Sequence, residues 1–295
     1  MGGISMSFQS LMFNISAARS DRKRDSAIPL PKGITECRNI SYGSHASESL
    51  LDVYYPDGTT EPLPTIVSIH GGGYVYGSKE IYRRYGMDMA RRSFAFVNFN
   101  YRLAPKSKFP APLADTNAVL EWVCQNARRY HLDPQRVILL GDSAGAQLTS
   151  QYAAIFTNPE YASLFDLKLP HVKICALGLF CGMYDGAARA KAPRRGLFLD
   201  YLGKDLPADD PRMQVLASVT TKYPPAFIAT AHHDFLKSEA QPMFEFLTAR
   251  GIPAQYKCYG RPEDKHIGHV FHVNILLPEA VQCNDDAAEF FRQYV

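Results

Sequence analysis

The strongest constraint on this chain is the pentapeptide Gly141-Asp142-Ser143-Ala144-Gly145, set between two segments of different periodicity. Before it runs Val137-Ile138-Leu139-Leu140, an unbroken apolar, partly β-branched stretch suited to a parallel strand buried on both faces. After it, Leu148, Tyr152 and Ile155 fall on one face of an expected helix. A Gly-x-Ser-x-Gly pattern at such a junction forces the serine into a strained backbone conformation and lifts its Oγ above the sheet edge. The flanking glycines let strand and helix approach each other. Ser143 is therefore a candidate nucleophile.

A second motif supplies what a nucleophile needs beside it. Thr65 to Ile69 read as another buried strand, which ends in His70-Gly71-Gly72-Gly73-Tyr74. Residues without side chains let backbone N–H groups point into a site, where they stabilise a carbonyl oxygen as it becomes an oxyanion. The N–H groups of Gly72 and Gly73, joined by that of Ala144, would make a three-donor hole. His70 is expected to brace the glycine loop through hydrogen bonds.

His70-Gly71-Gly72-Gly73, then Tyr101-Arg102-Leu103-Ala104-Pro105, then Gly141 to Gly145, in that order, resemble the hormone-sensitive-lipase-like branch of the α/β-hydrolases. Bacterial acetyl esterases and carboxylesterases belong to that branch. The resemblance covers roughly residues 45–295. It implies the α/β-hydrolase fold, an eight-stranded, mostly parallel sheet with helices on both faces and a small helical cap. It also implies a Ser–Asp–His triad in that chain order. Asp234-Phe235-Leu236, after the expected strand Ala226 to Ala231, matches the family's Asp-any-Leu pattern, with Glu239 as the reserve acid. Three histidines, His266, His269 and His272, follow the last expected strand, and position alone does not choose among them. The family's base is usually followed, one residue on, by Phe, which selects His269 in His269-Val270-Phe271. The usual intervening glycine is here Val270.

Other elements fit strands alternating with helices. Phe8, Leu11, Met12 and Ile15 stand at helical spacing and predict a short amphipathic helix. Cys37 to Tyr42 and Ser49 to Tyr55 predict an antiparallel hairpin, Phe94 to Phe99, Val172 to Phe180 and Ala254 to Tyr259 further strands. Helices are expected from Asp115, as an acidic cap, to Tyr130, and from Ser238 to Arg250. The stretch from Asp185 to Pro225 breaks the alternation and reads as a lid. The expected organisation is one domain over 1–295, with cap elements near 1–30 and 185–225. Arg102 and Asp142 read as scaffold, Arg102 by tying loops together. His232 is expected to be no more than a neighbour of Asp234.

Composition narrows the chemistry. A net charge of +3 gives no case for nucleic acid, and no apolar stretch approaches membrane-span length. Six scattered cysteines without a C-x-x-C pair suggest free thiols in a reducing compartment, the cytoplasm. His232-His233-Asp234 has no companion cluster of zinc-like spacing, so neither metal nor organic cofactor is expected. The expected activity is a serine esterase acting on short-chain acyl esters of small molecules, with no membrane partner and a homo-oligomer left open. Two alternatives stand beside it: an amide- or peptide-cleaving hydrolase using the same triad, and a non-catalytic ligand-binding member of the fold, a type that lacks the catalytic histidine.

Overall fold

A computed structural model describes residues 6–193 and 195–295; the first five residues of the expected cap segment lie outside them. In chain order the elements are α1 (Phe8–Ala27), β1 (Ile34–Ser41), β2 (Leu50–Pro56), β3 (Leu63–Ile69), α2 (Arg83–Ala90), β4 (Ala95–Phe99) and α3 (Ala111–Asn126). Then come β5 (Leu132–Asp142), α4 (Ala144–Thr157), α5 (Pro159–Ala162), β6 (Ile174–Phe180), α6 (Gly186–Lys191) and α7 (Gly196–Leu202). β7 (Ala226–Ala231), α8 (Lys237–Thr248), β8 (Ala254–Tyr259) and α9 (Pro278–Arg292) close the chain.

The eight strands form one sheet in the order β1-β2-β4-β3-β5-β6-β7-β8. β1 pairs antiparallel with β2, and β2 antiparallel with β4; every pairing from β4 to β8 is parallel. Alternate side chains of the central strands feed two separate cores, as a period of two requires. Val67, Ile69, Leu139, Leu177 and Ile228 pack with α3, α4 and α8 on one face. Ile66, Ile138, Leu140, Phe180 and Phe227 pack with α2 and α9 on the other. The largely apolar, buried stretches of β3, β5, β6 and β7 follow from that double burial.

Three expectations need correction. The first helix runs 20 residues rather than a few turns, and Phe8, Leu11, Met12 and Ile15 face solvent, not the protein. α3 begins at Ala111, so Asp115 is not its cap. It lies buried in the second turn, where its carboxylate takes the Arg102 backbone N–H at 2.8 Å and the Arg102 guanidinium at 2.8 Å. Pro112 in the first turn already has a helical φ, and as Pro lacks the N–H that a cap would satisfy there. His272, which its place near the end of the sequence leads one to expect at the start of the closing helix, does not start it. It sits in a single turn, Phe271–Val273, fully buried, its ring stacked 4.6 Å from that of Phe180.

The 185–225 stretch holds α6, α7 and two short helical turns. Ser7, the N-cap of α1, gives its N–H and its hydroxyl to Asp200 Oδ2 of α7, at 3.0 and 2.8 Å. The two segments expected to cap the site are thus joined to each other.

Candidate active site

β5 delivers Ser143 to the carboxyl end of the sheet. Ser143 has φ 53° and ψ −119°, a conformation non-glycine residues avoid, and α4 begins at the next residue. The turn is held because the Ser143 N–H donates to the carbonyl of Phe180 in β6 at 2.9 Å. It is also too tight for a side chain: a Cβ on Gly145 would run into the carbonyl oxygen of Ile69.

His269 comes from the loop after β8 and Asp234 from the loop after β7. A backbone bridge between His233 and Gly268 ties those loops together. His269 Nε2 lies 2.9 Å from Ser143 Oγ, and His269 Nδ1 lies 2.7 Å from Asp234 Oδ1. A carboxylate only accepts, so Nδ1–H donates to it, and Nε2 is left to accept the hydrogen bond of the Ser143 hydroxyl. Burial alone would raise the Asp234 pKa. The hydrogen bond and charge of His269, the Leu236 N–H and the Thr230 hydroxyl outweigh it and hold the carboxyl below its usual range. Those last two donors reach Asp234 at 2.9 and 2.8 Å. Glu239, the reserve acid, sits in the first turn of α8. Of the other histidines, His266 is exposed, and burial lowers the His272 pKa to about 3.

Val270 occupies the position where the resemblance leads one to expect glycine. Its φ of 59° and ψ of 30° are left-handed, which costs a side-chain-bearing residue about 1–2 kcal/mol. Its N–H donates to the buried Cys181 Sγ at 3.4 Å, so the strained residue directly after His269 is pinned to the end of β6. Sγ of Cys181 also lies within 4.8 Å of the ligand atoms of Asp234 and His269, whose nitrogen and oxygen are already engaged with each other.

The glycine loop leaves β3 at Ile69. No hydrogen bond among the described residues takes the N–H of Gly72, Gly73 or Ala144, and all three residues line one cavity with Ser143 and His269. Gly73 has φ 58°, and a Cβ there would collide with Leu197 of α7. His70 braces the loop: Nδ1–H donates to the carbonyl of Gly71 at 2.7 Å, and the ring stacks on Tyr101 at 4.1 Å. Burial lowers its pKa to about 4, which leaves it neutral at physiological pH.

Tyr82 was not singled out by any motif, yet it links elbow and loop. Its hydroxyl donates to Asp142 Oδ2 at 2.7 Å and accepts the Gly71 N–H at 3.1 Å. Burial drives the Asp142 pKa up to about 7 against these hydrogen bonds. With the folded pKa above the ordinary carboxyl value of 3.8, the folded state holds that proton more tightly. Asp142 therefore favours folding most at low pH, and the benefit fades as pH rises from about 4 to about 7. Asp142→Asn cannot ionise, so denaturant titrations should show less stability lost between about pH 4 and about pH 7 in the variant than in the wild type. An equal or larger loss in the variant would remove Asp142 from this account.

The cavity measures about 780 Å³. Phe13 of α1 and Leu197 and Phe198 of α7 form an apolar part of its wall, while Ser20, Asp21 and Arg24 of α1 add a polar part. Phe235, the unspecified residue of the Asp-any-Leu pattern, is 73% exposed and lies with its ring centroid 4.1 Å from that of His269. His233 donates from Nε2 to the carbonyl of Pro262, and His232 Nδ1 meets Lys237 Nζ, so both rings are engaged away from Ser143.

A family model described as alpha/beta hydrolase fold matches residues 66–272. The carboxylesterase NlhH of Mycobacterium tuberculosis is 29% identical over 236 residues, 77% of this chain and 73% of that protein. An acetyl esterase of Salmonella paratyphi A is 26% identical over 292 residues, 93% of this chain and 81% of its own length. Among solved structures, esterase B of Lactobacillus rhamnosis bound to a tributyrin phosphonate inhibitor superimposes with a TM-score of 0.85 at 25% identity, covering 96% of this chain and 93% of that one.

Proposed function

The chain belongs to the α/β-hydrolase fold family, in its hormone-sensitive-lipase-like branch, and from that premise we propose a serine carboxylic ester hydrolase acting on short-chain acyl esters of small molecules. The observation that carries the reading is the unbroken chain Asp234–His269–Ser143, at 2.7 and 2.9 Å, opening beside three unengaged N–H groups in one cavity.

In this reading Ser143 Oγ attacks the ester carbonyl while His269 Nε2 accepts its proton. The N–H groups of Gly72, Gly73 and Ala144 receive the resulting oxyanion. The carbonyl re-forms, the alcohol departs with the proton from His269, and Ser143 is left acylated. Water then attacks the acyl carbon, losing a proton to His269. Ser143 leaves with that proton, and the carboxylic acid is released. Asp234 stays ionised throughout and holds the imidazole in the acceptor tautomer. Within this mechanism α1 and the 185–225 segment act as a cap over a single hydrolase domain. No metal or organic cofactor enters any step. Six unpaired cysteines suit a reducing compartment, which we take to be the cytoplasm; among the described residues no helix is long and apolar enough to cross a membrane.

The short-chain preference rests on the wall. A cavity of about 780 Å³ is of the size that encloses a small ligand, and Phe13 and Leu197 crowd the glycine loop from above. Acetyl to butyryl p-nitrophenyl esters should turn over faster than lauroyl or palmitoyl ones, and the ester faster than the matching anilide. Preferred cleavage of the anilide would favour the amide-cleaving alternative, and a palmitoyl optimum would refute the size argument.

A further inference from the structure

The outer face of α1 is unlike that of a helix whose neighbours all belong to its own chain. Phe8, Leu11, Met12 and Ile15 are followed along the same line by Arg19, Arg22 and Lys23. On a pitch of 3.6 residues these seven positions span about one third of the circumference. All seven are exposed, Phe8 by 76% and Ile15 by 56%. The opposite line makes the contacts: Phe13 meets Tyr76 edge-on and lines the cavity, and its neighbours are polar. Asn14 donates to the carbonyl of Val75 at 3.2 Å, Arg24 to that of Ile81 at 2.9 Å, and Asp21 accepts the Tyr76 hydroxyl at 2.9 Å. A helix in a globular protein ordinarily turns its apolar stripe inward. Here the stripe is outward and continues into cations.

We propose that this face of α1 docks onto an anionic lipid–water surface, with Phe8, Leu11, Met12 and Ile15 set into the headgroup–acyl boundary and Arg19, Arg22 and Lys23 against lipid phosphates. Helices that lie in such an interface combine apolar side chains with Lys and Arg that reach the phosphates, and α1 offers both, set end to end on its one exposed face. Anionic headgroups attract the cations, and the layer beneath accepts the apolar side chains. A second copy of this chain fits less well. Two such faces meeting antiparallel about their midpoints would press the cations of each against the apolar row of the other, and meeting parallel would align cation on cation. The absence of a membrane-spanning helix among the described residues bears on crossing a bilayer, whereas lying on one needs only a face. The inner face of the same helix lines the cavity that holds Ser143, so an ester dissolved in that surface is separated from the cavity wall by about 10 Å, one helix diameter.

Co-sedimentation of the full chain with phosphatidylcholine vesicles, with and without about one-third phosphatidylglycerol, tests this. The wild type is expected to sediment with the anionic vesicles and not with the neutral ones. The triple variants Phe8→Ser/Leu11→Ser/Ile15→Ser and Arg19→Gln/Arg22→Gln/Lys23→Gln should each lower the bound fraction about tenfold or more, with thermal unfolding unchanged because these side chains face solvent. Should the first variant melt early, the second decides alone. Wild type left in the supernatant, or variants that bind as it does, would overturn the proposal. So would a wild-type dimer that the Phe8→Ser/Leu11→Ser/Ile15→Ser variant converts to monomer, which would give the face to a second copy. The readout is binding, so it stands apart from whether the chain hydrolyses esters.

Discussion

Ser143→Ala should lower p-nitrophenyl acetate turnover by about 10⁴-fold or more while leaving the thermal unfolding midpoint close to that of the wild type. The size of the loss comes from what the hydroxyl does in the proposed mechanism. Without Oγ no acyl-enzyme forms, and only binding and the three N–H donors remain to assist attack by water. The small effect on stability comes from what the hydroxyl touches: a single hydrogen bond to His269 Nε2 at 2.9 Å. The strain at φ 53° belongs to the backbone and stays in the variant. That strain, together with the collision awaiting any Cβ at Gly145, indicates that the elbow is imposed by the strands and α4 around it. A variant that keeps more than a trace of wild-type turnover would remove Ser143 from the nucleophile's role.

The sheet was legible because burial on both faces leaves a plain mark, runs such as Val137 to Leu140 with no polar interruption. The candidate site was legible in part for the same reason, since Ser143, Gly72, Gly73 and Asp234 stand close after β5, β3 and β7. His269 lies well past β8, whose Ala254–Tyr259 mixes polar and apolar residues, and only the family resemblance singled it out. What escaped the sequence depends on pairs distant along it. Tyr82 meets Asp142 across 60 positions, and nothing in Ile81-Tyr82-Arg83 announces it. Phe235 is exposed in a loop, where periodicity says nothing. In α1 the spacing of Phe8, Leu11, Met12 and Ile15 gave the helix but not its orientation. Its inward side meets the carbonyls of Val75 and Ile81 and the hydroxyl of Tyr76, groups that need polar partners, so the polar line turned in. His272 was misread for a related reason. A histidine just before an expected helix reads as its first residue, and only the fold stacks its ring on Phe180 and T-shaped against Tyr85.

Single alanine replacements of the three C-terminal histidines should separate them by function. His269→Ala is expected to lower turnover by about 10³-fold or more, since it removes both the acceptor for the Ser143 proton and the donor to the leaving alcohol. Asp234 would also lose the partner that most lowers its pKa against the effect of burial. His266→Ala should change turnover only a few fold, because the side chain, though it borders the cavity, is exposed and stands outside the Asp234–His269–Ser143 chain. His272→Ala should act on the fold instead: deleting a fully buried ring stacked on Phe180 leaves a cavity, at a cost of about 2 kcal/mol or more in unfolding free energy. Turnover per folded molecule in that variant should stay well above that of His269→Ala, provided the loop that carries Val270 keeps its contact with Cys181. Rates normalised to folded protein, measured beside denaturant titrations, distinguish the three. A dead His266→Ala beside an active His269→Ala would transfer the base to His266, and the 2.9 Å approach of His269 to Ser143 would then need another explanation.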